Sequence, residues 1–126
     1  MSREQILDVL ALYCHRCDDG DFDALVSLFT DDGSFAYGGR VVTGRADLLA
    51  YFAEVQTPAR RGKHVTGNTV VRVDGDRATA VSDWVFLAFA DGVLTPRLTG
   101  RYADTLVRAD GAWLLQERVV TPLTPG

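Results

Sequence analysis

Residues 65–121, VTGNTVVRVDGDRATAVSDWVFLAFADGVLTPRLTGRYADTLVRADGAWLLQERVVT, decide the fold class of this chain. The stretch is rich in β-branched and aromatic residues, which favour strands, and Asp-Gly pairs interrupt it at positions 74–75, 91–92 and 110–111. Asp-Gly is typical of tight hairpin turns because both positions tolerate a positive φ. The pattern predicts a four-stranded antiparallel meander with these strands: Val65–Val73, Ala78–Ala90, Val93–Arg108 and Trp113–Thr121.

The first half of the chain has a helical pattern instead. Apolar residues recur at three-and-four spacing in three segments, Ser2 and Gln5 form a capping box, and Gly38-Gly39 is typical of a hairpin turn. The predicted elements are a helix over Arg3–Asp18, a helix from Phe22 to Thr30, a turn at 31–33, a hairpin of Ser34–Tyr37 with Arg40–Thr43, and a helix over Ala46–Val55. Because helices come first and strands last, we expect one α+β domain over residues 1–126, with a curved antiparallel sheet around an internal pocket.

Composition and charge exclude several classes of function. With 47% hydrophobic and 24% charged residues the chain is too apolar to be disordered, and its net charge of −4 argues against a nucleic acid partner. No segment reaches the ~20 apolar residues of a membrane span, and MSREQILDVL lacks the features of a signal peptide. We therefore expect no membrane association, a cytoplasmic location, and a small molecule or another protein as partner.

Cys14 and Cys17 form a C-x-x-C pair inside the first predicted helix. Both lie on its apolar face, where thiols behave as small hydrophobic residues. A redox pair is usually placed at a helix N-terminus, and no second cysteine pair or suitably spaced histidine completes a zinc site. We favour buried structural thiols over a redox or zinc role, and we predict no metal site.

The best candidates for chemistry are Asp18 and His64. On a helical wheel Asp18 falls about 20° from Leu7, so its carboxylate lies with the apolar stripe and needs a hydrogen-bond donor or a wet cavity. His64 enters the first long strand and is a suitable donor, whereas His15 lies on the flank of its helix and is expected to face solvent. An Asp that orients one imidazole nitrogen leaves the other free for proton transfer. The alternative is that His64 ends a strand and Asp18 caps a turn.

Side-chain alternation along Ala78–Ala90 supports a pocket. One face carries small residues followed by Trp84 and Phe86, which leaves room for a cavity with aromatic walls, although such aromatics are also ordinary core residues. The opposite face is also mostly apolar, and this favours a homodimer through the open side of the sheet.

Other polar side chains give weaker signals. Tyr13, Tyr37 and Tyr102 could each direct a phenol into the cavity to polarise a carbonyl. Arg101 and Arg118 could bind an anion, but exposed salt bridges are the preferred interpretation for both, and the run Arg60, Arg61, Lys63 is interpreted as a solvated loop. The chain has no nucleotide-binding glycine motif and no G-x-S-x-G.

Several segments together resemble a known family. They are DDGDFDALVSLFTDDGSF at 18–35, GKHVTGNT at 62–69, VDGDRATAVS at 73–82, GRYADTLVR at 100–108 and DGAWLLQER at 110–118. In this order they resemble the SnoaL-like branch of the nuclear-transport-factor-2-like superfamily, over nearly the whole chain. The resemblance implies a cone-shaped α+β barrel with three N-terminal helices and a deep cavity, commonly dimeric.

The resemblance also implies roles for particular residues. Scytalone dehydratase, bile-acid 7α-dehydratase, ketosteroid isomerase and polyketide cyclases of this superfamily act on hydrophobic ring compounds without a metal or organic cofactor. The two dehydratases have an Asp and a His at the positions of Asp18 and His64. The bile-acid enzyme also has a tyrosine at the position of Tyr13. Tyr37 lies about where scytalone dehydratase presents a phenol. Where scytalone dehydratase has a second histidine, this chain has Ala88 or a near neighbour. Where that enzyme has an asparagine, this chain has Tyr102.

These observations lead to a functional hypothesis. We expect a cofactor-independent lyase or isomerase in which His64, oriented by Asp18, moves a proton and Tyr13 stabilises an oxyanion. The substrate is expected to be a small hydrophobic, cyclic metabolite. The predicted substrate-binding residues are Tyr37, Phe52, Trp84, Phe86 and Tyr102. The alternative is a non-catalytic small-molecule binder or dimeric accessory protein of the same fold.

Overall fold

The computed structural model describes residues 2–125, which form three helices and six strands. The helices are α1 (Ser2–Asp19), α2 (Phe22–Val26) and α3 (Arg45–Val55), and the strands are β1 (Phe29–Tyr37), β2 (Arg40–Thr43), β3 (Lys63–Asp74), β4 (Arg77–Ala90), β5 (Val93–Ala109) and β6 (Ala112–Pro122).

The six strands form one sheet in the order β2-β1-β6-β5-β4-β3. The predicted meander is confirmed, since β3 to β6 pair with their neighbours along the chain in antiparallel fashion. The sheet is not antiparallel throughout, because β1 pairs with β6 in parallel. Register shifts interrupt the β3–β4, β4–β5 and β5–β6 ladders, and such irregularities let long strands bend into a curved sheet.

The chain between α2 and β2 differs from the sequence-based expectation. α2 ends at Val26 rather than near Thr30, and residues 31–33 lie within β1 rather than in a turn. Phe29 is fully buried and pairs with Leu115 of β6, so long-range pairing overrides the local helical pattern. A register shift between Phe29 and Ser34 accommodates the polar residues in between. The hairpin turn is as expected, with positive φ of 57° at Gly38 and 84° at Gly39.

Helices α1 and α3 pack on the inner face of the sheet, and α2 contacts both of them. α1 contacts β3 and β6, while α3 contacts β1 and β2. The predicted alternation along β4 is confirmed: Ala78, Ala80, Ser82, Trp84 and Ala88 are buried on the inner face, and Thr79, Val81 and Val85 are exposed on the outer face. Within residues 2–125, no helix combines the length and the apolar character that crossing a membrane requires.

Candidate active site

Asp18 and His64 meet where the end of α1 packs against the start of β3. The Asp18 carboxylate accepts a hydrogen bond from the backbone N–H of His64 at 2.9 Å and a second from its ring Nδ1 at 2.5 Å. The side chains are only 13% and 11% exposed, respectively. One carboxylate thus holds both the backbone and the ring of the same histidine, which fixes the ring orientation.

This arrangement determines which imidazole nitrogen is free. An ionised carboxylate only accepts hydrogen bonds, so Nδ1 carries the proton and Nε2 is the site that can take up or release one. No residue in the described range 2–125 hydrogen-bonds Nε2. The ring of Phe86 packs against the imidazole with centroids 4.7 Å apart and limits its rotation.

A cavity of about 740 Å³ lies beside the imidazole and is enclosed by helices and sheet. Every predicted site residue except Asp18 lines it: Tyr13, Tyr37, Phe52, His64, Trp84, Phe86 and Tyr102. Asp18 lies behind His64. The lining is almost fully buried at one end, where Tyr13 and Tyr102 are 3% and 2% exposed, and open at the other, where Phe89 is 68% exposed.

The buried end of the cavity is aromatic but offers hydrogen-bond donors. The rings of Tyr13 and Tyr102 meet edge to face at 6.0 Å, and Trp84 stacks on Tyr102 at 5.7 Å. Burial raises the pKa of both phenols above the ordinary value, so both stay protonated at neutral pH. Neither hydroxyl has a protein hydrogen-bond partner among residues 2–125. Both phenols are therefore free to donate to a ligand oxygen.

A protein-family model matches nearly the whole sequence. The model, described as a SnoaL-like domain, matches residues 1–119. The chain belongs to this family. The resemblance expected from the sequence is therefore confirmed, and so is the superfamily fold. The SnoaL-like family includes dehydratases and cyclases. A search of curated proteins gave no match.

Solved structures agree with this assignment. Rv3472 of Mycobacterium tuberculosis, a protein of unknown function, is 29% identical with a TM-score of 0.93, covering 98% of this SnoaL-like domain and 73% of that chain. ActVI-ORFA of Streptomyces coelicolor is 27% identical with a TM-score of 0.85, covering 95% and 96% of the two chains. A candidate scytalone dehydratase of Novosphingobium aromaticivorans is 22% identical with a TM-score of 0.85, covering 98% and 85%, which shows the shared fold.

A buried ion pair beneath the cavity was not predicted. Arg118 of the SnoaL-like domain is fully buried and makes a bidentate contact with Asp104 at 2.7 and 2.9 Å, so the expected exposed salt bridge is wrong for this residue. Its guanidinium lies 3.7 Å from the ring centroid of Tyr102 and 4.2 Å from that of Tyr13. Burial alone would lower the pKa of Arg118, but the Asp104 carboxylate more than reverses this and raises it.

The exposed salt bridge expected for Arg101 is confirmed, with Asp83 at 2.8 Å.

A signal for this pair was present in the sequence. Asp104 lies between Tyr102 and Leu106 at every second position of a strand, so the same alternation that directs those two side chains inward directs the carboxylate inward. A charge at an inward position requires a buried partner. The antiparallel register places Arg118 directly opposite Asp104.

The two cysteines lie in the core, as expected. Cys14 and Cys17 are free and buried, and burial raises the pKa of both thiols, that of Cys17 to about 12. A neutral thiol is a poor nucleophile, which does not fit a redox pair. Across residues 2–125, no group of three His, Cys, Asp or Glu side chains is placed to hold a metal ion. His15 is exposed, as predicted.

Proposed function

We propose that this SnoaL-like domain is a cofactor-independent lyase or isomerase acting on a small hydrophobic, cyclic metabolite, with His64 as the acid–base group. The single observation that carries the proposal is the imidazole of His64, whose Nδ1 is held by Asp18 while its ring lines an aromatic cavity. A histidine whose Nδ1 is held in this way keeps Nε2 available to take a proton from a ligand in the cavity and to return it.

The proposed reaction begins with removal of a proton from carbon. Nε2 of His64 takes the proton from the carbon next to a ring carbonyl, and the electron pair moves onto the carbonyl oxygen. The phenol of Tyr13, or that of Tyr37, donates a hydrogen bond to this oxyanion. Because burial raises the pKa of Tyr13, its hydroxyl keeps the proton that it donates.

Two outcomes follow from the same intermediate. In a dehydration the carbonyl re-forms, the bond to a β-hydroxyl breaks, and imidazolium His64 returns its proton to the leaving oxygen, which departs as water. In an isomerisation the proton returns to a different carbon and the double bond migrates. Asp18 stabilises the imidazolium in both cases through the hydrogen bond to Nδ1.

The first test compares turnover of wild type and variants. A panel of cyclic β-hydroxy ketones and unsaturated ketones is incubated with each protein, and loss of water or migration of the double bond is followed by mass spectrometry and absorbance. We expect His64→Ala to lower turnover at least about a hundredfold, because general acid–base catalysis contributes about 10²–10⁴-fold. His15→Ala replaces the exposed histidine of α1 and should leave turnover unchanged.

The rival function is binding without catalysis, and it makes the opposite prediction. If wild type turns over no compound of the panel, and if His64→Ala and Asp18→Asn leave ligand affinity unchanged while Trp84→Ala and Phe86→Ala weaken binding, the cavity is a binding site only. That result would remove His64 from the mechanism.

We further propose that the protein forms a homodimer through the outer face of β3 and β4. Val65 pairs with Val85 and Val70 with Val81, and these four side chains form an apolar patch that is 36–53% exposed at each position. Asp83, which lies on the same face between Val81 and Val85, is paired with Arg101, and this reduces the cost of covering its charge with a second copy. An apolar patch of this kind is stabilised when a second copy covers it.

A further inference from the structure

The charged residues that line the cavity are all basic. Apart from His64 they are Arg60, Arg61 and Arg97, and the lining contains no carboxylate. The chain as a whole has 17 acidic residues against 13 basic ones, so an unselected lining would contain acidic side chains as well. Arg60 is exposed, as the interpretation of a solvated loop expects, but Arg60 and Arg61 also line the cavity.

The arginines lie at the open end of the cavity and come from two separate elements. Arg60 and Arg61 belong to the connection after α3, and Arg97 belongs to β5. Arg60 and Arg97 are exposed, as are their neighbours in the lining Phe89 and Leu98. The cavity thus has an apolar body with His64 in its wall and a positively charged mouth.

The three arginines differ in what they contact. Arg61 is engaged with the protein, since its Nε donates to the carbonyl of Gln56 at 3.1 Å and its guanidinium lies 5.6 Å from the ring centroid of Phe22. Arg60 and Arg97 make no side-chain hydrogen bond, ion pair or ring contact with any residue in the range 2–125. Their guanidinium groups are available to a ligand.

We propose that Arg60 and Arg97 form an anion-binding rim, and that the substrate is an amphipathic acid. It has a hydrophobic ring body that reaches His64 and one carboxylate, sulfonate or phosphate that stays at the mouth of the cavity. A planar guanidinium suits such groups because it offers paired donors at carboxylate and phosphate spacing. This inference rests on the proposed function, since it assigns the substrate class of the same cavity.

The test uses two fluorescent dyes that differ in one charge. Anilinonaphthalene sulfonate is an apolar aromatic anion, and phenylnaphthylamine is the same ring system without the sulfonate. We expect both to bind in the cavity and to compete, with the sulfonate binding more tightly and its affinity falling as salt is added. In the double variant Arg60→Gln/Arg97→Gln the sulfonate should bind about five- to tenfold more weakly, as expected for two solvent-exposed charge contacts.

Two controls make the result specific. The neutral dye should bind the double variant as it binds wild type, and Arg72→Gln should change neither affinity, because Arg72 is an exposed arginine of β3 outside the cavity lining. The proposal is overturned if the double variant binds the sulfonate as wild type does, if both dyes lose affinity equally, if Arg72→Gln has the same effect, or if neither dye shows saturable binding.

The dye titration is independent of the chemistry assigned to His64. His64→Ala should lower turnover at least about a hundredfold while the preference for the sulfonate over the neutral dye persists. If wild type shows no preference for the sulfonate while His64→Ala still lowers turnover, the rim alone is refuted. If His64→Ala turns over normally while wild type shows the preference, the acid–base proposal alone is refuted.

Discussion

Cys17 has a consequence for stability at the scale of a single residue. Its thiol pKa rises from 9.0 to about 12 on burial, so above about pH 9 the unfolded chain releases a proton that the folded chain keeps. The unfolded state then binds fewer protons, and the free energy of unfolding falls as the pH rises from about 9 towards about 12. This one group contributes a slope of at most about 1.4 kcal/mol per pH unit.

Urea unfolding at several pH values measures this slope. The unfolding free energy should stay level from neutral pH to about 9 and decline above it, and Cys17→Ala should decline less steeply than wild type. Equal slopes for the two proteins would show that the Cys17 thiol is not protected from ionisation in the folded state.

Prediction of single residues from the sequence depended on periodicity. Asp18 and His64 could be singled out because an inward-facing carboxylate at the end of a helix needs a donor, and the structure brings the two together. The position of Arg60 in the cavity lining could not be predicted, because a loop residue has no periodic pattern that tells which way its segment folds. Arg97 lies where the register of β4 and β5 shifts, so the alternation along β5 does not predict its side. The burial of Arg118 could not be predicted from β6 alone, because it depends on the inward-facing Asp104 opposite it on β5.

A buried ion pair joins β5 to β6, and this sets a prediction at the scale of elements. Both side chains of the Asp104–Arg118 pair are fully buried. Removing one partner leaves the other charge uncompensated, so Asp104→Ala should lower the free energy of unfolding by about 3–5 kcal/mol. Urea denaturation measures the loss.

Asp76 provides a matched control. It lies before β4 and pairs with Arg108 of β5 at 2.8 Å, but its side chain is 73% exposed. Exposed pairs contribute little because water solvates both charges. Asp76→Ala should therefore leave stability nearly unchanged, and similar losses for the two variants would contradict the account of Asp104–Arg118 as a buried pair.

The meander could be predicted because its signals are local. Each Asp-Gly turn lies between segments of alternating character, and the structure has positive φ of 51° at both Asp91 and Asp110. The start of β1 could not be predicted in the same way, because Phe29 pairs with a strand at the far end of the chain. Only the assembled sheet determines that Phe29–Asp32 extend β1.

At the scale of the whole molecule, the proposed homodimer places the outer face of β3 and β4 at its interface. We expect a dimer in solution and a monomer after Val81→Glu, because a carboxylate in the middle of the apolar patch would be buried without a partner on association. Multi-angle light scattering after size exclusion gives the mass directly. Val41→Glu is the control, since Val41 is 66% exposed on β2, away from the patch. A dimeric Val81→Glu variant, or a wild-type monomer, would show that this face is not the interface.

The central claim is that Nε2 of His64 removes a proton from carbon inside the cavity. Hydrogen–deuterium exchange tests it without knowledge of the natural substrate: tetralone, a bicyclic ketone of suitable size, is incubated with the protein in deuterated buffer, and exchange at the carbon next to the carbonyl is followed by NMR. We predict that wild type accelerates exchange and that His64→Ala slows it at least about a hundredfold relative to wild type. Equal exchange rates for wild type and His64→Ala would contradict the claim.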